Sequence, residues 1–167
     1  MNNLIIGNII SFIASLVMVY TGILKKRKEI IKIQTIQLGL FSLSNLTLGG
    51  ISGAIVNSFS IIRNYLSYKN KLTSNNKIFI ILIVIICTFI FDDIKLISFL
   101  PILATGLYTL YINTKSIKKL KIVLIINALF WLIYDINIKL YVSCIFDFLC
   151  IVTNIVSLMQ IKNKQYK

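Results

Sequence analysis

The residues best suited to chemistry form two matched stripes. The first is Gly53, Asn57, Ser60, Asn64 and Ser67; ninety residues later come Ser143, Asp147, Cys150, Asn154 and Ser157. Spacings of three and four put each set on one helical face. Asparagine side chains donate and accept hydrogen bonds at once, which suits a hydroxylated or amide-bearing solute. Asp147 adds a group that can bind a solute or accept a proton. The same residue types also join helices, at about 0.6 to 2 kcal/mol per polar interaction, and small residues such as Gly53, Ser60, Ser143 and Ser157 permit close packing. A single stripe reads as a packing seam; two in register favour a shared pocket.

The elements that must position these stripes are membrane helices. The chain is 57% hydrophobic, with a mean hydropathy of +0.88 and one proline, more apolar surface than a soluble domain of 167 residues can bury. Seven segments approach the ~20 apolar residues that a helical crossing needs: 4–24, 30–48, 50–68, 77–92, 94–113, 119–138 and 140–161. Alternate loops and the tail carry fifteen of the eighteen basic residues: Lys25, Lys26, Arg27, Lys28 and Lys32; Lys69, Lys71 and Lys77; Lys115, Lys118, Lys119 and Lys121; Lys162, Lys164 and Lys167. The other side has only Lys95 and Lys139, with Asp92 and Asp93. This asymmetry predicts a multi-pass inner-membrane protein with its N-terminus outside and its C-terminus in the cytoplasm. The first segment lacks a basic region before its apolar run, so it is expected to stay as an anchor and not to be removed as a signal.

Three segments precede the fourth and three follow it. One intervening crossing lets two three-helix units insert in the same orientation. The expected fold is therefore all-α, with seven transmembrane helices arranged 3+1+3: a first unit over 1–75, a linker helix over 76–93 and a second unit over 94–167. Weaker matches agree, with Ile10-Ser11-Phe12 against Ile97-Ser98-Phe99, Lys32-Ile33 against Lys121-Ile122 and Leu40-Phe41 against Leu129-Phe130.

Several side chains admit two readings. Asp147 lies ~10 Å below the outer end of its helix, where a lone carboxylate is costly and needs a partner or water; it is either a functional group or an interhelical clamp. Arg63 is expected to snorkel to the inner headgroups, with pairing to Asp147 as the sharper alternative. Trp131, near Asp135 and also ~10 Å deep, belongs either to the interfacial belt or to a pocket wall. Gln34, Gln37, Ser44 and Asn45 give the second segment a polar face as well.

Other classes fall away. With no histidine, Cys-His and Ser-His nucleophile pairs and histidine metal sites are excluded, and one intramembrane carboxylate is a poor catalytic set; no enzyme activity is expected. Cys87, Cys144 and Cys150 sit in apolar runs without metal-ligand spacing. No nucleotide motif is present, and the basic residues form loop clusters, not a nucleic-acid-binding stripe. No cofactor is expected. The partners expected are the bilayer and a small polar solute, and no residue argues for a homodimer.

The segment from Gly49 to Asn64, with its Asn57 and Arg63-Asn64, resembles the YgjV-like bacterial inner-membrane family, over essentially the full chain, and the paired three-helix architecture resembles the SWEET, SemiSWEET and PQ-loop transporters. That likeness implies a solute pathway between the halves, lined by asparagines of the third helix of each: Asn57 or Asn64 on one side and Asn154 on the other, with Asp147 in place of the partner of Asn57. Trp131 and, as a charge partner, Arg63 complete the candidate set. Two departures stand out: Pro101 has Ala14 as its nearest counterpart, and a Pro-Gln dipeptide is absent. The alternative is a non-transporting membrane interaction or assembly protein in which both stripes are packing seams.

Overall fold

A computed structural model describes residues 2–23, 27–92, 95–114 and 116–164. Lys25, Lys26, Asp93, Lys115 and Lys167, and the side chains of Arg27, Lys28, Ser157, Lys162 and Lys164, lie outside what is described. The described residues form seven α-helices and no strand: α1 (Asn2–Ile23), α2 (Arg27–Thr47), α3 (Ile51–Tyr68), α4 (Ser74–Phe91), α5 (Phe99–Tyr111), α6 (Ile117–Asn137) and α7 (Tyr141–Lys164). Each apolar segment of the sequence has its helix. The fifth departs most from expectation, opening with a 3-10 turn at Leu96–Ser98 before α5. Pro101, in the first turn of α5, supplies no N–H where none has an intrahelical partner.

Local signals set the helix starts. Thr73 Oγ1 accepts from the Asn76 N–H at 3.3 Å and begins α4, and Ser116 Oγ accepts from the Lys119 N–H at 3.4 Å and begins α6; both are N-caps. The α2–α3 and α6–α7 connections are built alike, ninety residues apart. In one, Gly49 N–H donates to Leu46 O and Gly50 N–H to Asn45 O; in the other, Lys139 N–H donates to Ile136 O and Leu140 N–H to Asp135 O, the second bond of each pair being 2.8 Å. The left-handed residue is Gly49 (φ 74°) in the first and Lys139 (φ 63°) in the second.

The helices close a ring. In order around it, α1 packs on α2, α2 on α3, α3 on α5, α5 on α6, α6 on α7, and α7 back on α1, while α4 lies outside against α3 and α5. The α4 wedge is apolar, with Val56, Leu72, Ile80, Val84 and Ile102 forming one buried cluster. The opposite joint is polar: Ser11 and Ser143 share a hydrogen bond of 3.0 Å, Asn8 Nδ2 donates to Lys139 O, and Val142 N–H donates to Asn8 Oδ1. Ser44 Oγ ties α2 to the Gly7 carbonyl at 2.7 Å.

The polarity of the ring is inside out relative to a protein in water. Ile5, Ile9, Phe12 and Leu16 of α1, Phe79, Leu82, Ile86 and Ile90 of α4, and Ile145 and Phe148 of α7 are exposed, whereas Asn45, Asn57, Arg63, Asn64, Thr109 and Asp135 are buried. Water disfavours such a surface, but a hydrocarbon solvent suits it, provided every backbone group is satisfied within the helices. By length and hydropathy alone, α1 and α4 are each able to cross a bilayer; the polar inward faces lower the mean for the others.

Candidate functional site

Inside the ring is a cavity of about 280 Å³ to which all six ring helices contribute. It falls just below the ~300–1,000 Å³ typical of ligand pockets. Gln34, Gln37 and Asn45 come from α2; Asn57, Ser60, Arg63 and Asn64 from α3; Thr105 and Tyr108 from α5; Asn127, Trp131 and Asp135 from α6; Ser143, Asp147 and Cys150 from α7. Of the residues singled out in the sequence, Asn57, Asn64, Arg63, Asp147 and Trp131 are therefore brought together. Asn154 is not among the lining residues. It is 6% exposed, and its Nδ2 donates to the Cys150 carbonyl of its own helix at 2.7 Å.

One end of the cavity is acidic. Asp147 does not stand alone as the sequence suggested: its carboxyl group lies beside that of Asp135, with the Ser143 side chain next to Asp135 as well. Asp135 is 3% exposed. Asp135 Oδ1 and Asp147 Oδ2 are buried without a hydrogen-bond partner, an expensive state that a ligand donor or water relieves. Ninety residues earlier, Asn45 and Asn57 occupy the matching places on α2 and α3, both buried and both lining the cavity.

Further along α3 is Arg63, and here the expectation of snorkelling is overturned. Arg63 is 4% exposed. Its Nε and Nη2 donate to Asn64 Oδ1 at 3.3 and 3.1 Å, its Nη1 donates to Thr109 Oγ1 at 3.4 Å, and the guanidinium lies 4.9 Å from the centre of the Tyr108 ring. The reason is directional. Helical side chains lean toward the N-terminus of their helix, which turns Arg63 away from the Tyr68 end of α3 and toward the cavity. The pairing with Asp147 is absent too; Asp147 faces Asp135 instead.

Trp131 forms cavity wall and packs edge-on against Tyr134, with ring centroids 5.8 Å apart and an interplanar angle of 86°. Tyr134 itself escaped the sequence reading. It is 1% exposed, and its hydroxyl oxygen accepts from Ser52 Oγ at 3.1 Å and from the Gly53 N–H at 3.0 Å. Gly50 precedes α3 and has no side chain to cap it, so a tyrosine from α6 caps α3 from across the ring. Asn45 and Asp135 were the findable partners, because they repeat at the ninety-residue spacing of the stripes. Among the described residues, no group of three or more His, Cys, Asp or Glu side chains is placed to hold a metal ion.

Comparison with curated proteins gave no match, and neither did comparison with solved structures. A family model does match, over residues 5–165: Imp-YgjV, described as a bacterial inner membrane protein. An inside-out helical ring and a match over nearly the whole chain agree, and the protein belongs to the Imp-YgjV family of bacterial inner membrane proteins.

Proposed function

We propose that this protein carries a small polar solute across the inner membrane, through a pathway between two parallel three-helix units, α1–α3 and α5–α7, with α4 as the linker between them. The observation that carries the reading is the cavity: polar side chains from α2, α3, α5, α6 and α7 line it, and α1 contributes Met18. The repeat is supported by the matched α2–α3 and α6–α7 connections and by the two joints of the ring, each of which sets the first helix of one unit against the third of the other. The loop lysines favour an N-terminus outside and a C-terminus in the cytoplasm. A likeness to SWEET-type transporters belongs to the same proposal. Opening to alternate sides would require the α1–α7 and α3–α5 joints to loosen in turn.

The second reading, a non-transporting interaction or assembly protein, rests on the Ser11–Ser143 bond, where part of the second stripe is a direct helix joint. Thiol labelling separates the two. In a background carrying Cys87→Ser, Cys144→Ser and Cys150→Ser, Asn57→Cys is expected to react with a charged, membrane-impermeant reagent, and Asn154→Cys to react far more slowly. Complete protection of Asn57→Cys would mark the interior as a dry seam and favour the second reading.

A further inference from the structure

We infer that the solute is a small zwitterion, its anionic group held by Arg63 and its ammonium by Asp135 and Asp147; this rests on the pathway proposed above and specifies what that pathway selects. Each end of the cavity leaves hydrogen-bonding groups unused.

Arg63 is a buried cation whose contacts are all neutral: Asn64, Thr109 and the Tyr108 ring. Among the described residues it has no carboxylate partner. A guanidinium has five N–H donors in a rigid fork. Three are committed, through Nε, Nη1 and Nη2, which leaves one N–H on each terminal nitrogen. Two charged N–H donors are what an anionic carboxylate accepts. A charge buried in a membrane protein without a counterion is costly, and in such sites the partner is commonly the substrate or an ion.

The acidic end has the opposite vacancy. Asp135 Oδ1 and Asp147 Oδ2 are two buried acceptors with no donor, on carboxyl groups that lie side by side. An ammonium carries three donors and no acceptor, so it can satisfy both oxygens at once. Arg63, Asp135 and Asp147 all line the one cavity of about 280 Å³, so a single small solute held there can touch both ends. A neutral polyol would leave both charged ends unmatched. A simple amine would leave Arg63 unmatched, and a simple carboxylate would leave the acid pair so.

Thermal stability of the purified full chain tests this, because a ligand that binds only the folded state raises its apparent stability. The probes are the α-amino acids and 4-aminobutyrate as zwitterions, n-butylamine and butyrate as single-charge analogues, and glucose and glycerol as neutral solutes. At least one zwitterion is expected to bind at least tenfold more tightly than every single-charge or neutral probe. Arg63→Gln should reduce that zwitterion to the affinity of n-butylamine, and Asp135→Asn should reduce it to that of butyrate. Arg63→Lys, which keeps the charge and loses the fork, should retain part of the preference if Arg63→Gln does not fold. Equal binding of butyrate and the zwitterions would overturn the inference, as would the absence of binding by any zwitterion. Preferential binding of glucose or glycerol would also overturn it while leaving the proposed pathway standing; failure of every probe to cross a membrane would remove the pathway itself.

Discussion

Gly53→Val is expected to remove most of the folded protein. A Cβ at residue 53 would come within 2.8 Å of Asn45 Cγ and 2.8 Å of Tyr134 Cε1. Neither neighbour is free to move: Asn45 is bonded to the Phe41 carbonyl and Tyr134 to Ser52 and Gly53, and Asn45, Tyr134, Ser52 and Gly53 are buried. Overpacking of this kind costs about 1–3 kcal/mol, and displacing Tyr134 also removes the cap of α3, for a further ~1 kcal/mol. The readout is the yield of monodisperse protein in detergent and its melting temperature. Gly39→Ala is the control, since a Cβ there meets nothing within 4 Å and should be neutral or mildly stabilising. Equal behaviour of the two variants would contradict the close approach of α2, α3 and α6.

Tyr134→Phe should give the second largest loss, about 2 kcal/mol. The hydroxyl is the acceptor for the Gly53 N–H and Ser52 Oγ. In lipid no bulk water replaces it, so both donors would be stranded near the start of α3. The compensating change is specific. A Cβ at Gly50 would lie 2.7 Å from the Tyr134 oxygen, so Gly50→Ser should destabilise the wild-type protein. In the Tyr134→Phe background that oxygen is gone and the new serine can cap α3 locally. Ile138 Cδ1 at 3.0 Å and Asn45 Oδ1 at 3.1 Å stay in place, so the loss from Gly50→Ser should shrink in the Tyr134→Phe background, a coupling that a double-mutant cycle reads directly. Additive losses would mean that the tyrosine packs without capping.

Much of the framework is legible in the sequence because long apolar runs leave few alternatives in a bilayer: all seven segments became helices, and α3 buries the face that carries Asn57, Ser60, Asn64 and Ser67. The site was legible only in part. Asp147 was visible as a costly carboxylate, but its partner Asp135 lies on the neighbouring helix, and their meeting depends on how α6 and α7 rotate about the turn at Lys139. Arg63 turns inward because side-chain direction, and not depth along the helix, decides where its charge goes. Asn154 keeps the helical face of Asp147 but bonds back to its own backbone, a local choice that spacing does not encode. The cap from Tyr134 was hidden because it crosses eighty-one residues to Gly53. A repeated spacing was nevertheless a usable guide: Asn45 with Asp135 and Asn57 with Asp147 share one offset, and all four line the cavity.

The asymmetry between those pairs, two carboxamides on α2 and α3 against two carboxyls on α6 and α7, gives the cavity a polarity of charge. Solute movement tests the account most directly. Protein reconstituted into sealed liposomes should accelerate uptake of at least one solute from a broad panel of small zwitterionic, ionic and neutral compounds, under a concentration or a pH gradient, over protein-free liposomes. Uptake indistinguishable from protein-free liposomes for every solute under both gradients would contradict it.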